Sequence, residues 1–459
     1  MTDSAAQSAT LDPDRLDALR AAVAREMPGV RRDLDYLVRI PSVSVGEADQ
    51  SFVDSSAAAV ATLLQEAGLE TDIVVEGGRP AVIGHLAGPA GAPHVVLYAH
   101  HDVQPTGDHD SWSSPPFEPT ERDGRLYGRG AADDKAGVMA HVAAIRAHNG
   151  APPVSVTIFV EGEEEDGSPS LSTILERHSH RLAGDVLVLA DSTNWAVGQP
   201  ALTTSLRGLV ECFVDVSTLD HPVHSGMYGG AVPDALMVLV RLLASMHDDE
   251  GNVVVPGIRS GTESDVDYPE DQLRADAGVL DGVELIGSGS LATRIWTKPT
   301  ATVTGIDVPS TGQASNTLQA SVRAKLSVRV APGQPAAEVY DAVRNHLLAQ
   351  ASWGAHVVVT LKETGEAFAA NADGPAYDAA RDAFADAWGV RPVDVGIGGS
   401  IPFIAEFATA FPDAAILVTG VEDPDTRAHG IDESLHLGEF ERVCVAEAVL
   451  LERLAALPR

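Results

Sequence analysis

Short runs of apolar and β-branched residues alternate with helical segments in the first part of the chain, and this alternation restricts the possible folds most. Four runs have the length and composition of buried strands: Val82–Leu86, Val95–Ala99, Val154–Val160 and Val186–Ala190. A helical segment, Val138–Ala147, stands between the second and third runs. Apolar strands with intervening helices are typical of sheets that carry helices on their faces. The pattern predicts an α/β fold with a mixed central sheet flanked by helices.

The order of elements changes near Ala201. From there the pattern predicts a strand, a helix, two strands, a helix and a strand: Leu209–Val216, Pro233–Met246, Ala301–Ile306, Ser321–Val330, Pro335–Leu348 and Val357–Leu361. This βαββαβ order is typical of a small ferredoxin-like domain, and a polar stretch at 248–290 predicts an insertion with long loops inside it. Because the α/β pattern resumes after Gly374, we expect a main domain of residues 1–200 and 367–459, interrupted by an inserted domain of residues 201–366.

Charge and composition exclude several classes of partner. The chain has 459 residues, more than one hydrophobic core usually organises, which favours two domains. Its 31 Lys and Arg residues against 66 Asp and Glu residues give a formal net charge of −35. Such a charge repels nucleic acids and anionic membranes, so we expect neither as a partner. The N-terminal segment does not resemble a signal peptide and no apolar run is long enough for a membrane span, which predicts a cytoplasmic protein.

The segment YAHHDVQP places two histidines and an acid at the end of a predicted strand. Strand side chains alternate between faces, so His100 and Asp102 point the same way and His101 points the opposite way. A histidine followed two residues later by a carboxylate suits a metal ligand whose ring is oriented by the acid. The alternative is a pair of solvated loop histidines.

Acidic residues cluster in two further segments. In GRGAADDK, Asp133 and Asp134 precede a predicted helix, where they could cap the helix or bridge cations. They would repel a phosphate, which excludes a phosphate-binding role for the neighbouring glycines. In VEGEEEDG, a buried strand runs into Glu161 and the acids at 163–166, which form either a solvated loop or a cation site.

Two more candidates follow, since Asp191 ends the strand VLVLAD and His429 lies in the loop TRAHGID. Most of these side chains stand at the carboxyl ends of predicted strands, where open α/β sheets bind ligands. The two cysteines, Cys212 and Cys444, lie in apolar segments and offer no thiolate site. Nitrogen and oxygen donors without thiolate suit Zn²⁺, Mn²⁺ or Co²⁺, and the donor set alone does not rank these ions.

In order and spacing, the motifs resemble those of the dinuclear zinc metallopeptidase family: H-x-D, GRGxxDDK, a double Glu before Gly, a strand-terminal Asp and a late A-H-G. This family includes carnosinase, cytosolic nonspecific dipeptidase, carboxypeptidase G, aminoacylase, acetylornithine deacetylase and succinyl-diaminopimelate desuccinylase. The resemblance covers nearly the whole chain, and YAHHDVQP, DDK and GGSIP look more like the dipeptidase branch than the deacylase branch. Ala99, Ala131 and Ala132 depart from the usual pattern without replacing a ligand.

Residue by residue, the resemblance implies two bound cations, with Zn²⁺ expected and Mn²⁺ or Co²⁺ as alternatives. It assigns the ligands as follows: His100 and Asp191 to one ion, Glu165 and His429 to the other, and Asp133 as the bridge. It also makes Asp102 the residue that orients His100.

The same resemblance makes Glu164 the general base, which takes a proton from the attacking water and passes it to the leaving amine. Three consecutive glutamates leave the register open. The spacing to Gly167 and Ser168 favours Glu164 and its successor over Glu163.

Further residues are implied to meet the substrate. His224 in DHPVHSGMYGG resembles the lid histidine that, in dimeric members, reaches the active site of the partner subunit. Asn316 in ASNTL and Arg329 in LSVRVAPG resemble other lid residues. Gly399 and Ser400 in GIGGSIPFI resemble the loop that holds the substrate's carboxylate. The resemblance therefore implies a homodimer formed through the inserted lid domain.

The predicted function is metal-dependent hydrolysis of the peptide bond in dipeptides or short peptides with a free C-terminal carboxylate. The nearest alternative is an N-acyl amino acid deacylase that uses the same metals. A catalytically silent binding or scaffolding member is disfavoured by the intact set of ligands and base. An HD-type phosphohydrolase built on His101 and Asp102 is disfavoured because those proteins are helical, whereas this pair follows a strand.

Overall fold

The apolar runs of the sequence form the central strands of the structure, a computed structural model that describes residues 11–264, 266–399 and 401–457. The chain divides into two units. The first comprises residues up to 204, 370–395 and from 406 onwards, and the second comprises 205–369 and 396–405. Compared with the domains predicted from the sequence, the second unit begins and ends a few residues later and also includes 396–405.

Numbered along the chain, the helices are α1 (Pro13–Val38), α2 (Ser51–Glu66), α3 (Lys135–Ala147), α4 (Leu171–Arg177), α5 (Ser179–Leu182), α6 (Ser225–Tyr228), α7 (Ala235–Ala244), α8 (Glu270–Asp276), α9 (Leu291–Trp296), α10 (Ala336–Ala349), α11 (Pro375–Trp388), α12 (Pro402–Ala410) and α13 (Leu437–Ala455). The strands are β1 (Glu70–Val74), β2 (Ala81–Leu86), β3 (His94–His100), β4 (Thr120–Arg122), β5 (Arg125–Tyr127), β6 (Ser155–Glu161), β7 (Val186–Leu189), β8 (Ala201–Leu206), β9 (Gly208–Ser217), β10 (Val223–His224), β11 (Thr300–Asp307), β12 (Thr317–Leu318), β13 (Ser321–Val330), β14 (His356–Gly365), β15 (Phe368–Ala369), β16 (Val393–Ile397), β17 (Ala415–Val418) and β18 (Ser434–His436). In the described part of the chain, none of these helices combines the length and hydrophobicity needed to cross a lipid bilayer.

The main sheet of the first unit contains the strand order β1-β2-β6-β3-β7-β17-β8. The neighbours β6, β3, β7 and β17 run parallel, while β1, β2 and β8 pair antiparallel at the flanks. β3, β6 and β7 are buried along almost their whole length, as expected for strands covered on both faces. The predicted α/β class with a mixed central sheet is confirmed. Because the parallel strands end at one edge, the residues that follow them come together there.

Four helices of the first unit, α1, α3, α11 and α13, pack against one another, and α2 packs on β1 and β2. In α3, rich in alanine, every residue except Arg146 is buried. One of these residues, His141, links two elements: its Nδ1 is 2.8 Å from Oε1 of Glu447 on α13, and its Nε2 is 3.0 Å from the carbonyl oxygen of Tyr98 on β3. The strand that ends at His100 is thereby held to the last helix.

The second unit has a four-stranded antiparallel sheet in the order β11-β13-β9-β14. Along β9 and β13 every second residue is buried, because α7 and α10 cover one face of the sheet. The elements follow one another as β9-α7-β11-β13-α10-β14, the βαββαβ order expected from the sequence. The polar stretch at 248–290 is not made of loops alone, since it contains the short helix α8.

Candidate active site

Side chains from several strand ends meet at the carboxyl edge of the main sheet. His100 is the last residue of β3, and Asp191 follows β7 by two residues. β6 leads into a short 3₁₀ turn, Glu164–Asp166. Asp133 lies just before α3, and His429 lies in the loop that precedes β18.

The carboxylate of Asp133 lies between two imidazole rings. Its Oδ1 is 3.0 Å from Nε2 of His100, and its Oδ2 is 3.0 Å from Nε2 of His429. Oε2 of Glu165 is 3.1 Å from the same His429 nitrogen. Oδ2 of Asp191 is 3.9 Å from the same His100 nitrogen. Asp133 therefore lies between two pairs of side chains. Its Oδ1 faces His100, which Asp191 also approaches, and its Oδ2 faces His429, which Glu165 also contacts.

Two overlapping groups of side chains among the described residues could hold metal ions: His100 with Asp133 and Glu165, and His100 with Glu164 and Asp191. Within each group the ligand atoms lie within 4.8 Å of one another. All donors are imidazole nitrogens or carboxylate oxygens, a set that fits Zn²⁺, Mn²⁺ or Co²⁺. The cluster thus fits divalent cations in both donor chemistry and spacing.

Asp102 contacts both His100 and the turn that carries Glu164 and Glu165. Nδ1 of His100 is 3.1 Å from the Asp102 carbonyl oxygen and 3.4 Å from its Oδ1, so Nε2 is the nitrogen left to face the cluster. The Asp102 carboxylate also accepts the backbone N–H groups of Glu164 and Glu165, at 3.2 and 3.1 Å. The Ser44 hydroxyl donates to it at 2.6 Å. Because Asp102 is buried, these bonds fix the turn that carries both glutamates.

The three consecutive glutamates occupy different surroundings. The Glu163 carboxylate accepts the backbone N–H of Arg79 at 2.8 Å and that of Ser170 at 2.7 Å, and the Ser170 hydroxyl also donates to it. Glu164 and Glu165 instead each belong to one of the two groups of side chains that could hold a metal ion. The structure therefore places the second and third glutamates, and not Glu163, at the cluster.

The electrostatics of the cluster follow from burial and from the short imidazole contacts. Burial and the negative charge of Asp191 raise the pKa of Glu164 well above its usual range, and burial raises the pKa of Asp191 to about 7. Although burial opposes it, hydrogen bonds from His100 and His429 hold the pKa of Asp133 well below its usual range. The bond with Asp133 raises the pKa of His429 to about 11. The acidic cluster therefore favours a positive charge at its centre.

The sequence model of peptidase family M20/M25/M40 matches residues 96–453. The chain belongs to this family. It is 37% identical over 400 residues to the cysteinylglycine-S-conjugate dipeptidase of Corynebacterium striatum, covering 85% of this chain and 88% of that protein. It is 31% identical over 383 residues to the Beta-Ala-His dipeptidase of Rattus norvegicus, covering 78% of this chain and 76% of that protein. The crystal structure of human carnosine dipeptidase 1 has the same fold, with a TM-score of 0.77 and 25% identity over 97% of this chain and 100% of that chain.

Membership in the M20 family confirms the resemblance predicted from the motifs. Together with the cluster of imidazoles and carboxylates, it identifies the chain as an enzyme of a peptidase family that binds divalent metal.

Two residues that the sequence motifs did not single out also belong to this M20 site. Gln104 donates its backbone N–H to Oε1 of Glu165 at 3.1 Å and its side-chain amide to Oε2 at 2.9 Å. Glu422 forms a parallel β-bridge with Thr193. Burial and the charge of Asp133 raise the pKa of Glu422 well above its usual range. The only signal for Gln104 is its position two residues after the H-x-D motif, and Glu422 has no comparable signal.

Lys135 connects the turn that carries Asp133 to the segment at the end of the first helix. It is the first residue of α3 and is fully buried. Its Nζ donates to the carbonyl oxygens of Leu37, in the last turn of α1, at 2.9 Å and Ile40, two residues after α1, at 2.8 Å. Burial lowers the pKa of Lys135 to about 7.

His224 and Asn316 lie close together in the second unit. β10, which ends at His224, pairs with β12, which begins one residue after Asn316. The N–H of Ser225 donates to the Asn316 carbonyl oxygen at 2.9 Å. The His224 side chain is exposed, and its Nδ1 accepts the N–H of Gly226 at 3.1 Å.

Arg329 lies half-buried on β13, and Gly399 is half-buried in the loop before α12. Ser400 lies outside the described residues. The motifs missed Arg207, whose guanidinium donates to the carbonyl oxygen of Gly398 at 3.0 Å. Burial, with a contribution from the positive charge of Arg329, lowers the pKa of Arg207 to about 10. Two arginines therefore lie near each other in the second unit, one of them bonded beside Gly399.

Proposed function

We propose that this chain hydrolyses the peptide bond of dipeptides or short peptides with a free C-terminal carboxylate, using two divalent cations per subunit. The position of Asp133 supports this proposal most, because each of its oxygens faces a different pair of ligand side chains. The names of two relatives agree with it, one being a cysteinylglycine-S-conjugate dipeptidase and the other a Beta-Ala-His dipeptidase.

In this proposal the ligands would divide as follows: His100 and Asp191 would hold one cation, Glu165 and His429 would hold the other, and Asp133 would contribute to both. Zn²⁺ is the proposed ion, and Mn²⁺ or Co²⁺ suits the same donors. When bound, the ions supply Lewis-acid chemistry that activates a water and polarises the scissile carbonyl. Asp102 keeps the His100 ring in the orientation that presents Nε2.

Glu164 acts as the general base in this scheme. Its carboxylate takes a proton from the attacking water and delivers it to the leaving amine. A base whose pKa lies nearer to neutrality serves both steps better, and burial beside Asp191 shifts the pKa of Glu164 in that direction. Glu163 does not suit the role because its carboxylate is bound to Arg79 and Ser170.

The second unit supplies the substrate contacts. His224, with Asn316 close to it, would stabilise the negative charge that develops on the carbonyl oxygen. Arg329, Gly399 and Ser400 would bind the terminal carboxylate of the substrate. The positive charge of Arg329 would offset the repulsion between the substrate's carboxylate and a chain with a net charge of −35.

We also infer a homodimer formed through the second unit. β11 and β14 are the edge strands of its sheet and leave hydrogen-bonding groups free to pair with a copy of the same sheet. β14 carries exposed apolar side chains, Val358 and Leu361, and Met227 lies exposed just after His224. The strong negative charge disfavours nucleic-acid and membrane partners, and we propose a cytoplasmic location for the enzyme.

The test compares the rates at which metal-free and metal-loaded protein hydrolyse Ala-Gly and N-acetylglycine, both of which release glycine. We expect chelation to abolish hydrolysis and added Zn²⁺, Mn²⁺ or Co²⁺ to restore it. Elemental analysis should find two ions per subunit. Ala-Gly should be hydrolysed faster than N-acetylglycine. Full activity in metal-free protein would remove the central claim. A preference for N-acetylglycine would indicate a deacylase, and metal binding without turnover of either compound would indicate a silent member.

A further inference from the structure

A buried ion pair contacts the backbone of the turn that carries Asp133, the proposed bridging ligand. Glu433 directly precedes β18, and its Oε2 is 2.6 Å from Nη1 of Arg129. Glu433 is fully buried and Arg129 is only 1% exposed. Burying two charges costs free energy, which good geometry and additional hydrogen bonds must offset.

The turn that carries Asp133 supplies those bonds. The backbone N–H of Gly130 donates to Oε2 of Glu433 at 3.1 Å, and those of Ala132 and Asp133 donate to Oε1 at 3.1 and 3.2 Å. Gly130 has φ +80°, a left-handed conformation that favours glycine and helps neighbouring N–H groups converge on one anion. The backbone position of Asp133 therefore depends directly on Glu433.

Arg129 extends the same link to the segments of both histidines. Its Nη2 donates to the carbonyl oxygen of Pro105 at 3.2 Å, in the loop that follows β3 and His100. The same nitrogen donates to the carbonyl oxygen of Gly430 at 3.1 Å, one residue after His429. One ion pair thus joins the three segments that carry His100, Asp133 and His429.

We infer that the Arg129–Glu433 pair positions the metal ligands, fixing Asp133 relative to His429 before any cation binds. This inference rests on the proposed dinuclear function and adds two residues to which that proposal gives no role. Glutamine at 433 would keep the size but offer one acceptor oxygen in place of two. Some of the N–H donors and the buried guanidinium would then lose their acceptor. Changes to groups that orient metal ligands typically lower metal affinity by about 10–100-fold.

The experiment measures Zn²⁺ affinity by competition with a chromophoric chelator, so the readout does not depend on turnover. We expect Glu433→Gln to bind Zn²⁺ about 10–100-fold more weakly than wild type. The matched control is Glu439→Gln on α13. Glu439 is equally buried and accepts bonds from Trp388 at 2.7 Å and Arg442 at 2.8 Å. The control should lose thermal stability to a similar extent and keep wild-type Zn²⁺ affinity.

Wild-type Zn²⁺ affinity in folded Glu433→Gln, or an equal loss of affinity in Glu439→Gln, would overturn the inference. If Glu433→Gln does not fold, Arg129→Lys tests the same link. A lysine keeps the charge but lacks the fork that reaches Glu433, Pro105 and Gly430 together, so Zn²⁺ affinity should again fall. Wild-type protein that binds no Zn²⁺, Mn²⁺ or Co²⁺ would contradict the proposed function instead.

Discussion

Adjacent carboxylates can serve different functions because of the groups that each one contacts. Glu163 and Glu164 have the same side chain and follow the same strand. The Glu163 carboxylate is bound by N–H and hydroxyl donors, whereas the Glu164 carboxylate lies within 4.8 Å of the candidate ligand atoms of His100 and Asp191. The two neighbours therefore form a natural pair of test positions.

For Glu164→Gln we expect bound metal close to the wild-type level and a fall in kcat of at least about 10²–10⁴-fold, because an amide cannot take up and deliver the proton. In Glu163→Gln, kcat should stay near wild type while the free energy of unfolding falls by about 1–3 kcal/mol, because a buried acceptor is lost. Steady-state kinetics on Ala-Gly, elemental analysis and urea denaturation measure these quantities. A dead Glu163→Gln beside an active Glu164→Gln would shift the base by one residue.

Sequence reasoning reached some residues of the site and not others for a physical reason. His100, Asp133 and His429 could be predicted as candidate ligands because metal ligands are restricted to few residue types and stand at strand ends or in short motifs, and the structure brings these three side chains together. Glu433 and Arg129 act through backbone N–H and carbonyl groups, which any residue provides. Their roles became visible only when the fold brought the segments together.

Among the elements, α3 links the strand of His100 to the last helix. His141 contacts both β3 and α13, and the charge of Glu447 raises the pKa of His141 although burial opposes it. A histidine whose pKa is raised in the folded state stabilises the fold fully below its unfolded pKa of about 6.5. That contribution is lost as the pH rises through the folded pKa.

We therefore expect His141→Gln to lower the free energy of unfolding more at about pH 6 than at about pH 9, measured by urea titration. His148→Gln is the matched control, because His148 is also a buried histidine but burial lowers its pKa. The contribution of His148 is present above about pH 6.5 and is lost as the pH falls, so its substitution should cost less at the lower pH. The same pH dependence in both variants would contradict the role of the Glu447 pair.

The sequence predicted long elements better than short ones. The helix expected at Pro233–Met246 is α7, Ala235–Ala244, with a difference of two residues at each end. In contrast, α8 was missed because it is short and lies in a polar stretch without helical periodicity. β10 and β12 contain two residues each, too few for any alternation to appear.

For the whole molecule, the proposed dimer leads to a complementation test. His224→Ala should lower kcat strongly and leave bound metal unchanged, because His224 belongs to the second unit and is not a ligand. If His224 acts across the dimer, mixing His224→Ala with Glu164→Gln subunits should create heterodimers with one intact site. Activity should then return to a fraction of the wild-type level.

Light scattering and a two-tag purification verify the heterodimers for that assay. The control mixes each variant with an excess of itself, which should give no recovery. A monomer at assay concentration, or verified heterodimers without recovery, would show that His224 acts within its own subunit or not at all.

The buried amine of Lys135 limits where the chain of this enzyme can be shortened. The family match begins at residue 96, so α1 lies outside it. Yet the Lys135 amine donates to the carbonyl oxygens of Leu37, in the last turn of α1, and Ile40, two residues after α1, and Lys135 follows Asp133 by two residues. A shortened chain that starts at residue 96 would lose both acceptors and leave a buried amine unpaired two residues from Asp133, a proposed metal ligand. The point where family resemblance starts is therefore not a point where the enzyme can be cut.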